Sequence, residues 1–236
     1  MKHSKRFRTA AEKVEKKKYP LAEAVAKVKE LANAKYDESV DLSIKLMIDL
    51  KKQDQQVRGI CNLPHGTGKT KRVLVLTKGE KEKEARDAGA DYVGFDEYIE
   101  KIKAGWFDFD VIIATPDGMS DVGKLGKILG PKGLMPSPKS GTVTFEVDTQ
   151  VKALKKGKVE FKSDKGGCVH VPVGRVSFEH EILTENIKAL LEDLMAAKPS
   201  AVKGQFIKSV TLSSTIGPGI MLDEKELIKN PAKGGS

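Results

Sequence analysis

The chain has 236 residues, 39% of them hydrophobic and 32% charged, which is enough for one large globular domain or two modest ones. No apolar run approaches a membrane span, and the basic N-terminal stretch MKHSKRFRTAAEKVEKKKYP has no apolar core behind it, so it does not read as a secretory signal. Cys61 and Cys168 stand far apart with no CxxC, which points to free thiols in a reducing compartment and away from a structural zinc site. No metal and no cofactor is expected. The net charge of +9 points to a polyanionic partner. Residues 1–18 hold eight basic and two acidic side chains, so most of the excess lies in one tail. That tail reads equally as a solvated arm or as an arm lying on nucleic acid.

After Pro20, Leu21, Val25, Val28 and Leu31 recur at helical spacing, predicting a helix to about Ala34. ESVDLSIKLMID then alternates: Val40, Leu42, Ile44, Leu46 and Ile48 share one face, and Asp41, Ser43, Lys45 and Met47 the other. This is the pattern of a half-buried strand in an antiparallel sheet. VRGICNL reads as a second strand.

LPHGTGKT, residues 63–70, has the look of a phosphate-binding loop, but the position that needs its first glycine holds Leu63. Such a loop leaves a strand and opens a helix. Here the strand VLVLT follows it instead, so LPHGTGKT is read as a flexible crossing between domains.

From Val73 the pattern is βαβαβα: VLVLT and EKEKEARDAGA, DYVG and DEYIEKIKAG, DVIIATP and a helix around DVGKLGKILG. That order predicts a parallel sheet covered on both faces, and it lacks the GxGxxG turn of a dinucleotide site. Further on, the lysine-rich VKALKKGK is read as the crossing back. KVEFK and CVHVPV then alternate as strands about a turn at Asp164–Gly167, and the helix after them carries Ile187, Leu190, Leu191, Leu194 and Met195 on its core stripe. QFIKSVTLSSTI is a last strand, broken by GPG at Gly217–Gly219.

The expected fold is therefore α/β and α+β in two domains. Residues 1–66 and 158–236 form a discontinuous α+β domain with an antiparallel sheet, and residues 67–157 an inserted three-layer βαβ, Rossmann-like domain.

The least usual stretch is GKLGKILGPKGLMPSPKSGTV, residues 123–143, with Lys124, Lys127, Lys132 and Lys139, three prolines and no acid. Its prolines and glycines forbid helix beyond about Leu129 and predict an ordered loop. Read in order, YDESVDLSIKL, DQQVRG, LPHGTGK, LGPKGLMPSPKSGTV, GKVEFKSDKGG, HVPVG and STIGPG give the chain, over nearly its whole length, a resemblance to the bacterial large-subunit ribosomal protein one family.

That resemblance implies a protein of the mobile stalk beside the tRNA exit site. It would bind large-subunit rRNA through the domain built from both termini, assist release of deacylated tRNA, and repress its own operon mRNA through a similar RNA shape. The implied partners are large-subunit rRNA, own-operon mRNA and exit-site tRNA, with no membrane, a cytoplasmic ribosomal location and a monomer when free. Folded RNA is read by shape, 2′-hydroxyls and phosphates, which small hydroxyl side chains and close backbone approach suit. Three clusters match the family's RNA surface: Lys35, Tyr36 and Ser39; Lys162, Lys165, Gly167 and His170; and Ser213, Thr215, Ile216 and Gly217. In the second, His170 reads as an outward ring between inward valines or as a structural histidine. Phe is commoner in the family at position 36, Thr at 39 and Met at 216, which leaves the surface intact but blurs single contacts. Lys124, Lys127, Lys132 and Lys139 are assigned a secondary RNA contact or packing. The competing class is a nucleotide-dependent α/β enzyme using the inserted domain, for which no nucleophile–base pair, metal cluster or phosphate cradle is legible.

Overall fold

A computed structural model of the chain describes residues 4–49, 55–79, 81–202 and 204–229. It forms two compact units, Met1–Gly68 with Val159–Ser236, and Lys69–Lys158. Part of the basic tail is not an arm: Lys5–Glu12 is a helix, α1, capped by the Ser4 hydroxyl accepting from Phe7 N–H at 3.3 Å, and its Ala10 reaches the core. Helix α2, Leu21–Leu31, buries Leu21, Ala24, Val25, Val28 and Leu31. It ends short of Ala34 because Ala32 turns extended and the Ala34 N–H goes to the Glu38 carboxylate. Strands β1, Ser39–Leu46, and β2, Arg58–Asn62, follow.

The second unit opens with β3, Val73–Leu76, then α3, Lys81–Asp87, β4, Tyr92–Gly94, α4, Asp96–Lys103, and β5, Val111–Ala114. Short helices α5, Met119–Lys124, and α6, Gly126–Leu129, and the longer α7, Val147–Lys156, complete it. The three strands are parallel in the order β4-β3-β5. The central strand β3 is buried on both faces because alternate residues feed separate cores, and the edge strand β4 is half-buried. Val73 and Val75 pack with Ala85, Val147 and Val151 under α3 and α7, whereas Leu74 and Leu76 pack with Ile99, Ile102, Val122 and Leu125 under α4 to α6. The lysine-rich VKALKKGK is mostly helix α7, with the boundary between the units after its last lysine; Val151 and Leu154 at helical spacing bury one face of it.

The chain then forms β6, Lys158–Lys162, β7, Cys168–Arg175, α8, His180–Ala196, β8, Ile207–Ser214, β9, Ile220–Leu222, and α9, Glu224–Lys229. In the first unit the four-stranded sheet runs β7-β1-β8-β9, with every described pairing antiparallel, and β2 pairs with β6. The turn at Asp164–Gly167 therefore does not close a paired hairpin: β6 and β7 belong to different sheets, and alternation alone does not say which edge a strand seeks. One core takes in the inward residues of the sheet, the apolar stripes of α2 and α8, and Val57, Cys61, Val159 and Phe161. Met195 lies outside it at 37% exposure, while Leu183 extends the α8 stripe toward its N-terminus.

Asn186 on α8, fully buried, fixes the LPHG loop. Its amide donates to the carbonyls of Gly66 at 2.9 Å and Val173 at 2.8 Å, and its oxygen accepts from His65 N–H at 3.2 Å. Gly66 and Gly68, at φ 67° and 72°, thus serve a pinned left-handed turn rather than flexibility.

Candidate nucleic-acid interface

Among the described residues of the first unit the core covers one face of the four-stranded sheet, and the opposite phase of each strand faces away from it. The register sets these outward residues in rows: Pro172, Asp41 and Ser213; His170, Ser43, Thr211 and Met221; Cys168, Lys45 and Ser209. With Ser39 and Thr215 at one end, six hydroxyls line this face. Ser39 to Lys45 is six residue steps along β1, roughly 20 Å of sheet.

One rim is built on Glu38. Its side chain is buried to 2% exposure, and its two oxygens accept from Ala34 N–H at 3.1 Å and Ile216 N–H at 3.0 Å. Burial pushes this carboxyl up, but the N–H of Ile216, the Ser214 hydroxyl, the N–H of Ala34 and the nearby charge of Arg6 on α1 together hold it below the usual glutamate range. A buried carboxylate thus ties the loop before β1 to the turn after β8. Thr215 adds a second tie, accepting from Ser39 N–H at 3.1 Å and donating to Ser39 C=O at 3.3 Å. Tyr36, 54% exposed, and Ile216, 37% exposed, stand on this rim with Lys35 and Ser39.

The other rim is the turn between β6 and β7. Asp164 Oδ1 accepts from Gly166 N–H at 2.8 Å and Cys168 N–H at 2.7 Å. The bond from Cys168 is the leading reason its carboxyl sits below the usual aspartate range. Lys45 reaches across from β1 to the Gly166 carbonyl. Exposed Lys162 and Lys165 border an open depression with Gln56, Ser163 and Asp164. His170 points outward beside its inward valines, its Nδ1 3.0 Å from Ser43 Oγ and its Nε2 3.7 Å from Asp164 Oδ2. Among the described residues, Asp164, Cys168 and His170 are the grouping whose metal-ligating atoms converge.

The structure therefore joins the first and third predicted clusters into one rim and sets the second at the far end of the same face. Three assignments acquire internal reasons. Gly217 is crowded within its own turn, since a Cβ there would stand 2.5 Å from Ser214 Oγ, which would have to turn away. Gly167 sits at φ 71° and its carbonyl accepts from Leu46 N–H, so it shapes the turn. The Thr215 hydroxyl proton is spent on Ser39, leaving an acceptor lone pair for a ligand.

In the second unit, Lys124 is ion-paired with Asp121 at 2.8 Å, Lys132 lies over the Phe107 ring at 4.2 Å, and Lys127 is exposed. Lys139 lies in the 3-10 turn Pro138–Ser140, and its side chain is outside the described residues. Sequence reading passed over Glu38, Ser43, Lys45, Ser209 and Thr211. The outward phase of β1 and β8 carries a signal for all but Glu38, whose inward carboxylate breaks the apolar phase just before Val40.

Hydroxyls, lysines and exposed Tyr36, Ile216 and Met221 across a broad, shallow surface suit contact with sugars, phosphates and splayed bases. A family model described as the ribosomal protein L1p/L10e family matches residues 28–218, a span that holds all of these candidate residues but Met221.

Proposed function

The chain belongs to the ribosomal protein L1p/L10e family, a protein of the large ribosomal subunit that binds its rRNA in the cytoplasmic ribosome, and from that premise we propose that the outward face of the β7-β1-β8-β9 sheet, with its two rims, is the rRNA-binding surface. The observation that carries this reading is the pair of loops locked together by Glu38, which holds Tyr36, Ser39, Thr215 and Ile216 in fixed register at one end of a hydroxyl-lined sheet. A preordered surface loses little conformational freedom on meeting a folded RNA. Lys162 and Lys165 at the far rim supply phosphate contacts, and α1, whose Arg6 acts on Glu38, brings part of the basic tail to the first rim.

On this reading the protein sits in the mobile stalk near the exit site, assists release of deacylated tRNA, and represses its own operon mRNA by presenting the same face to a similar RNA shape. It is non-catalytic, is a monomer when free, and uses the Lys124–Lys139 loop for secondary RNA contact. Ser43, His170 and Asp164 have the residue types of a hydrolytic triad. Their geometry argues against that role: the carboxylate oxygen is 3.7 Å from the ring, and its other oxygen is occupied by two backbone N–H groups.

The test is filter binding of a large-subunit rRNA fragment at several salt concentrations. Thr211→Val and Ser213→Val keep a strand-forming shape while deleting a hydroxyl, and each should weaken binding about 2- to 10-fold. Lys162→Gln and Lys165→Gln should each lower the salt slope by roughly 0.7 to 0.9. Wild-type behaviour in all four, with loss on Lys127→Gln, would move the surface to the other unit.

A further inference from the structure

We propose that Asp164, Cys168 and His170 form a binding site for a borderline-soft divalent cation of the Zn²⁺ type. Their carboxylate oxygen, thiol sulfur and imidazole nitrogen all lie within 4.8 Å of one another. A tetrahedral zinc site with bonds of 2.0 to 2.3 Å needs ligand atoms roughly 3.3 to 3.8 Å apart, so closure requires rotamer adjustments and no backbone rearrangement. His170 Nε2 and Asp164 Oδ2 are already 3.7 Å apart.

The site is built by local geometry. Cys168 and His170 are two apart on β7, so both side chains leave the same face of the sheet. Asp164 is held in the preceding turn by the two backbone N–H groups on its Oδ1, which leaves Oδ2 directed at the ring. The imidazole is oriented as well. With Nδ1–H donating to Ser43 Oγ at 3.0 Å, the Nε2 lone pair is free to ligate and lies on the side of Asp164 Oδ2, the usual arrangement of a metal-bound histidine and its supporting partner. On binding, the Cys168 thiol gives its proton to solvent and ligates as thiolate. Three protein ligands leave a fourth position toward solvent for water or an anionic oxygen. The linear pattern conceals this set, because only one ligand is a cysteine and the third is supplied by a turn.

Cobalt(II) titration of the reduced full-length protein tests the assignment, since a thiolate–cobalt bond produces a near-ultraviolet charge-transfer band. Wild type and Cys61→Ser should show the band, saturating at one ion per chain and bleached by Zn²⁺. Cys61 is buried, and that burial holds its thiol well above the usual range, so it serves as the control sulfur. Cys168→Ser should lose the band, and His170→Ala and Asp164→Asn should weaken it. Ser43→Ala should bind about 10-fold or more weakly as the ring loses its support. A wild-type protein without the band, or the same band in Cys168→Ser or undiminished in His170→Ala, would overturn the site. Circular dichroism of each variant separates ligand loss from misfolding.

Discussion

Replacing Glu38 by Gln keeps the shape of the tie between the two loops and removes its charge. The three bonds it accepts, from Ala34 N–H, Ile216 N–H and the Ser214 hydroxyl, are charge-assisted in the native protein. Each loses about 1 kcal/mol with a neutral acceptor, and the new amide NH₂ must face one of the N–H donors, leaving it unpaired for about 1 to 2 kcal/mol more. Release from burying a carboxylate offsets part of this, so the net destabilisation should be about 2 to 3 kcal/mol. In calorimetry that lowers the transition of the unit holding Glu38 by roughly 4 to 12 °C. The same loosened rim should weaken rRNA-fragment binding about 10-fold, because ordering the loops then falls on the binding step. A variant that melts within a degree of wild type and binds RNA equally well would refute the claim that this carboxylate organises the rim.

Acid should probe the same group. Its folded pKa lies below the ordinary 4.5, so its stabilisation is complete above that pH and is lost as pH falls through the folded value. Urea midpoints should therefore drop on acidification in wild type and drop less steeply in Glu38→Gln. Asn186→Ala strands two carbonyls and one N–H, most of them buried, and should cost about 3 to 5 kcal/mol in urea unfolding. Gly217→Ala meets Ser214 Oγ at 2.5 Å, so Ser214→Ala should relieve it, and a double-mutant cycle should return a favourable coupling of about 1 kcal/mol. Additive effects would show that Gly217 serves something other than its turn. Each unit has its own core, so joining residues 66 and 158 by a short Gly-Ser linker should leave the first unit folded and most RNA affinity intact, read by circular dichroism and filter binding.

The legible parts of this chain are those where periodicity and burial agree. Val40, Leu42, Ile44 and Leu46 alternate cleanly, and the structure buries all four; Ile187, Leu190, Leu191 and Leu194 repeat at helical spacing and line one stripe. The hydroxyls of the outward phase were equally visible but chemically silent, since a serine on a solvated strand looks the same whether or not it meets a ligand. Partnership was the illegible quantity. Nothing local in DKGG says that its flanking strands join different sheets, and nothing in YDES says that its glutamate turns inward to hold a turn 178 residues away. Lysine-rich VKALKKGK holds a helix as well as the crossing at its end, and long basic side chains on the outer face of α7 masked the two apolar residues that make it a helix.

The strand order β7-β1-β8-β9 has a consequence for synthesis. Strand β1 ends at Leu46, yet both of its neighbours come from residues beyond 167, so a growing chain carries it with two unsatisfied edges and a bare apolar face while some 120 residues are added. The second unit is contiguous, with its parallel strands drawn from residues 73–114, and can close within that interval. Completion of the first unit must then wait for Ile207–Ser214 to emerge. The outward face is thus assembled only after β8 is made, with the whole of the second unit synthesised in between.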